Sequence, residues 1–198
     1  FTGAVGGVGA TNSLKAVNVT TSANTVTFES TLNAATITVT GAASSDIAHF
    51  QGDVTGNIAI ATEGKLAFVA DKTLTGNITT NADGAGTIDF ATATAAKTLV
   101  SGNIGSSTSL DMTLVTVNTG AGVVSTIAGD IYTITLDVES TGTLAVGGDV
   151  TGATVFGADG IINIAADKKF VGAITADTNN NGTVTFAATT TDRSEERR

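Results

Sequence analysis

The chain has 198 residues and a net charge of −9; 14% of its residues are charged and 5% aromatic. It has no Cys, Pro or Trp and a single His, which excludes a disulfide scaffold, a zinc–thiolate site, a cysteine nucleophile and a three-histidine metal centre. The acidic balance repels phosphate backbones and anionic lipid, so no nucleic acid is expected as a partner, and no apolar run reaches the roughly 18 residues that membrane insertion by a helix needs.

Strands are expected wherever Thr, Val, Ile and Phe cluster between Gly, Asn and Asp: at 25–29, 35–40, 58–60, 65–69, 73–78 and 87–90, then at 98–101, 113–117, 131–137, 143–146, 161–165, 169–174 and 183–186. No stretch sustains a 3.6-residue period. Thr, about one residue in five, opposes helix through its β-branched side chain. Asn81-Ala82-Asp83-Gly84 and Asn179-Asn180-Asn181-Gly182 are turn-forming sequences.

Residues 52–95 align with residues 148–191 at an offset of 96 without a gap, with 17 of 44 positions identical. Val54/Val150, Leu66/Ile162, Phe68/Ile164, Leu74/Phe170, Ile78/Ile174, Ile88/Val184 and Phe90/Phe186 are apolar in both copies. Many of these lie two apart, the parity of half-buried strands. The preceding parts match more loosely: Gly3-Ala4-Val5-Gly6 with Gly102-Asn103-Ile104-Gly105, and Thr36-Ile37-Thr38-Val39 with Thr133-Ile134-Thr135-Leu136.

The class is therefore all-β, and the expected architecture is a parallel β-helix, a solenoid over residues 1–191 built of two units of roughly 96 residues, approximately 1–97 and 98–191. The alternative is an antiparallel β-sandwich, in two copies if the repeat marks separate domains. Small and medium inward residues favour the helix, on the reasoning that a narrow coil holds few aromatics. The absence of Pro leaves ladders uninterrupted. Residues 192–198 carry all three Arg of the chain and read as a disordered end, a linker or an appended remnant. Phe1 in place of Met, with no basic or apolar leader after it, reads as a processed product or an excised segment.

The stretches Phe1-Thr2-Gly3-Ala4-Val5-Gly6-Gly7 and Leu32-Asn33-Ala34-Ala35-Thr36-Ile37-Thr38-Val39-Thr40-Gly41, the two G-D-V-T-G blocks at 52 and 148, and G-T-I-D-F with G-T-V-T-F resemble bacterial autotransporter passenger repeats, most closely the rickettsial surface-antigen type. The resemblance covers residues 1–191. It implies a right-handed β-helix exported across the outer membrane and displayed at the cell surface. The family's C-terminal membrane barrel has no counterpart among these residues.

No catalytic residue is assigned. His49 has no G-x-S-x-G partner, and Asp53/Asp149 and Asp71/Asp167 recur with the repeat, which places each type at two separate sites. The Asp-Lys pairs at 71–72 and 167–168 read as solvated turns with a charge pair. Asp177, Asn179 and Asn181 match the first half of an EF-hand loop, but the twelfth position is Ala188. The loop reads first as an Asn-rich corner turn and second as a weak calcium site; no other cofactor is expected. The expected function is a non-enzymatic structural and adhesive segment at a bacterial surface, with the host or a neighbouring cell as partner. The alternative is a self-assembling subunit of an extracellular filament or surface layer, associating end to end. A carbohydrate-active enzyme comes third.

Overall fold

The computed structural model describes residues 1–6, 13–107 and 111–188, so the predicted tail at 192–198 lies outside them. The described residues form strands and turns with no helix, and the strands stack in parallel through about eight turns, a β-solenoid. The pairings between named strands are all parallel, against the sandwich alternative; among the described residues the one antiparallel contact is an isolated bridge between Gly41 and Glu63.

Each turn contributes three inward-facing stretches, which we call walls. The first wall is traced by Val5, Leu32, Val54, Leu74, Val100, Ile127, Val146, Ile164 and Phe186, each the register partner of the next. The second is traced by Val17, Ile37, Ile58, Ile78, Ile104, Ile131, Val150 and Phe170. The third carries two columns. Val26, Ala48, Leu66, Ile88, Val115, Leu136, Thr154 and Ile174 form one; Phe28, Phe50, Phe68, Phe90, Val117, Val138, Phe156 and Ala176, two residues further on, form the other. Alternation along each strand turns these side chains inward. Nearly all of them, apart from those at the two ends, belong to a single buried core cluster.

The core holds more aromatic surface than the sequence argument allowed. Phe28, Phe50, Phe68 and Phe90 are stacked in successive turns, with ring centroids 5.0–5.5 Å apart, and Phe1 stacks on Phe28 at 5.2 Å. A flat ring occupies about one strand spacing, so a column of rings matches the rise of the coil and needs no extra width.

The sequence repeat is not a stack of equivalent turns. Val54 lies on the first wall; Leu74, Val100, Ile127 and Val146 follow it upward, so Val146 is four full turns above. Val150, its partner in the repeat, lies on the second wall just after Val146. The offset of 96 residues is therefore four and one-third turns. Backbone geometry follows the same offset: φ is 133° and 139° at Gly56 and Gly152, 60° and 61° at Asp71 and Asp167, 66° and 68° at Gly84 and Asn180, and 80° and 81° at Gly86 and Gly182. At Gly56 and Gly152 a β-carbon would overlap the carbonyl oxygens of Ala34 and Thr133 in the turn below, so only glycine lets the chain turn the corner there.

The looser match of the earlier parts needs shifting. Leu32–Thr40 pairs upward with a register shift between Asn33 and Thr36, and Ile131–Val138 does so between Tyr132 and Thr135. That makes Ile37 the counterpart of Leu136. Ile134, aligned to Ile37 by sequence, is 52% exposed at the shift.

The structure adds four strands to those expected, Leu14–Thr20, Ile47–Phe50, Val124–Ile127 and Val150–Phe156, and extends 58–60 back to Val54; Val54–Ile60 and Val150–Phe156 run through their corner glycines. The predicted strands 73–78 and 169–174 each break at a glycine, Gly76 or Gly172, into two short strands.

Candidate functional site

Each turn from the third onward enters the second wall through a polar residue just before the inward apolar one: Asn57, Asn77, Asn103, Asp130, Asp149 and Lys169. These residues form an axial ladder. The backbone N–H of Asn77 donates to Asn57 Oδ1 (3.0 Å), that of Asn103 to Asn77 Oδ1 (2.8 Å) and that of Asp130 to Asn103 Oδ1 (2.9 Å). Asp149 N–H then donates to Asp130 Oδ1 (2.8 Å), and Lys169 N–H to Asp149 Oδ1 (2.9 Å). At a corner the chain leaves the sheet plane, and its N–H has no strand partner; the side chain one turn below supplies the acceptor.

The recurring Asp53 and Asp149 do the same work on different walls: Thr73 N–H donates to Asp53 Oδ1 at 2.9 Å, as Lys169 N–H does to Asp149. The ladder was not singled out from sequence. Its signal is a polar residue directly before Ile or Val, as Asn-Ile at 57, 77 and 103, Asp-Ile at 130 and Asp-Val at 149.

Beside the ladder, a groove of about 290 Å³ is lined by Asn77, Thr79, Asn103, Gly105, Ser106, Ser107, Asp130 and Tyr132. Tyr132 is the chain's one tyrosine and is half-buried on the outer face of the second wall. Its hydroxyl donates to Asp130 Oδ2 at 3.4 Å. Burial pushes the phenol above its usual range, and the charge of Asp130 adds to the effect.

The residues singled out from sequence lie apart. His49 is half-buried on the outer face of Ile47–Phe50, between Thr27 below and Ala67 above. Asp71 does not pair with Lys72. Its carboxylate accepts the Thr94 hydroxyl at 2.5 Å and the N–H groups of Thr94 and Ala95 at 2.8 and 3.0 Å. The Thr94 hydroxyl, these two N–H groups and the charge of Lys97 hold Asp71 below the usual carboxylate range. The ion pair found among the described residues is Lys65–Asp89, at 2.7 Å.

Asp177, Asn179 and Asn181 lie in the last described turn. Asp177 N–H donates to the carbonyl of Phe156, Asn181 N–H to that of Thr178, and Asn180 between them is left-handed. The charge of Asp177 adds, after burial and Glu139, to the upward shift of the Asp137 carboxyl. Among the described residues no group of three His, Cys, Asp or Glu side chains comes together to hold a metal ion.

Among the described residues, the terminal turns leave core positions uncovered. Ile174 and Phe186 are 46% and 54% exposed at one end. At the other, Phe1, Val5, Val17, Val26 and Phe28 help line an apolar hollow of about 200 Å³. No family model, no curated protein and no solved structure matches the chain.

Proposed function

We propose that the chain is a non-enzymatic structural module, a stiff β-helical passenger or stalk segment displayed at a bacterial surface and serving adhesion. The observation that carries this reading is the unbroken parallel ladder over one continuous core, about eight turns deep. Such a stack resists bending because every turn is hydrogen-bonded to its neighbours. At about 4.8 Å per turn it spans about 40 Å. The polar outer face and net charge of −9 favour solubility. The resemblance to autotransporter passenger repeats supports the surface address.

The test places residues 1–188 between an outer-membrane anchor and a fluorescent tag and reads quenching of the tag by a membrane dye. A stiff spacer holds the tag at one height of about 40 Å, read as a narrow distance distribution; a spread of heights as broad as that of a glycine-serine linker of equal residue number refutes the reading.

The uncovered apolar residues of the terminal turns favour a second reading, end-to-end self-association into filaments or a surface layer. Negative-stain microscopy separates the two: short rods favour the spacer, fibres or lattices the assembling subunit.

A further inference from the structure

We propose that the groove over Tyr132 binds a neutral saccharide, a role that stands independently of the spacer reading. The groove arises from the chain's own irregularity. Along the second wall the steps Ile78 to Ile104 and Ile104 to Ile131 take 26 and 27 residues, against 19–21 elsewhere.

The groups facing the groove are fixed in place. Gly105 lies under the tyrosine, where a β-carbon would come within 2.8 Å of Tyr132 Cβ, so the residue is seated directly on the backbone of the turn below. A long contact of 3.4 Å from its hydroxyl to Asp130 Oδ2 orients the other end of the ring. Asn77 and Asn103 each commit Oδ1 to the turn above, and Asn77 also donates from Nδ2 to Asn57 Oδ1 at 3.2 Å, which fixes the amide planes and leaves the Nδ2–H groups of Asn103 as the main donors.

A pyranose asks for these features together. Its C–H face packs on an aromatic ring, and its hydroxyl oxygens accept from fixed amide N–H donors. Preorganisation lowers the ordering cost of binding. Other ligand classes fit less well. No basic residue lines the groove, so a phosphate would meet only Asp130 and the acidic surround. One carboxylate is too few for a hard cation. The volume, at the small end for ligand sites, suits one or two sugar units.

Because the chain has one Tyr and no Trp, its tyrosine fluorescence reports on this groove alone. The experiment titrates the whole chain with cellobiose, lactose, maltose and N,N′-diacetylchitobiose, and repeats each by saturation-transfer NMR. The expected result is a saturable fluorescence change and magnetisation transfer with at least one of the four. Tyr132→Ala should abolish the transfer. Tyr132→Phe, which keeps the ring, should weaken binding by no more than about tenfold. Asn103→Asp keeps the ladder acceptor, removes the amide donor and should weaken binding about tenfold. No response to any of the four disaccharides, or transfer undiminished in folded Tyr132→Ala and Asn103→Asp, overturns the proposal.

Discussion

Val54 and Val150 hold the same place in the sequence repeat and stand on different walls of the coil, four and one-third turns apart. One amino-acid pattern therefore serves as first wall in one half of the chain and as second wall in the other. The apolar pairs of the repeat rotate with it: Phe68 packs on the third wall and its counterpart Ile164 on the first. Each wall needs the same things, an inward apolar side chain, a polar outer face and a glycine or Asn/Asp corner, so the walls are chemically interchangeable.

The corner glycines should be the least tolerant positions. Gly152→Ala places a methyl group on the carbonyl oxygen of Thr133 and forces a side chain into φ 139°. The expected cost is at least about 3 kcal/mol from overpacking and backbone strain together. Gly122→Ala, with open space around it and φ 72°, should cost only about 1–2 kcal/mol. Urea unfolding of both variants measures the difference.

The phenylalanine column should carry much of the stability of the first half. Phe50 is buried between Phe28 and Phe68, so Phe50→Ala removes two stacking contacts and leaves a cavity. A loss of about 3–5 kcal/mol is expected, and Phe50→Leu should recover more than half of it. Thermal unfolding followed by circular dichroism reads both.

Thr154 should be improvable. It occupies an inward column between Leu136 and Ile174, and its Oγ1 is buried with no hydrogen-bond partner among the described residues. Thr154→Val keeps the shape and deletes the unsatisfied hydroxyl. A gain of about 1–2 kcal/mol is expected in denaturant unfolding.

Two carboxylates should pull the pH dependence in opposite directions. The pKa of Asp71 is lowered in the fold, so its stabilisation is present above the unfolded-state pKa and is lost as pH falls through the folded value. Asp71→Asn should therefore destabilise at neutral pH and match the parent chain in acid. The pKa of Asp137 is raised, so the chain loses stability as pH climbs from the unfolded value through the folded one. Asp137→Asn should be the more stable chain at neutral pH, with the gap closing in acid. Unfolding midpoints taken across the acid range check both signs.

The fold class was legible because buried strands alternate and because the repeat preserved that alternation. What escaped had physical reasons. Val54–Ile60 and Val150–Phe156 contain a glycine at the corner, which reads as a break but serves as a bend within a continuous strand. Ile47–Phe50 is short and holds the polar His49. The aromatic content of the core was underestimated because ring stacking along the axis depends on register between turns, which composition does not reveal. The third-of-a-turn rotation was likewise hidden, since an ungapped alignment does not say how many turns it spans. At the candidate groove, Asn77, Asn103 and Asp130 look like ordinary turn residues; only stacking brings them beside Tyr132.

The rotated stack is tested most directly by two distances in a chain that has no cysteine of its own. Ala67 and Val155 lie on the outer face of the same wall, linked through Asp89, Thr116 and Asp137, four turns or about 19 Å apart. Asn163 is the repeat counterpart of Ala67 and lies on the first wall. Spin labels at Ala67→Cys/Val155→Cys and Ala67→Cys/Asn163→Cys, read by pulsed dipolar spectroscopy, should give the shorter distance for the first pair. A shorter distance for the second pair would mean that the copies stack in whole turns, and would contradict the account.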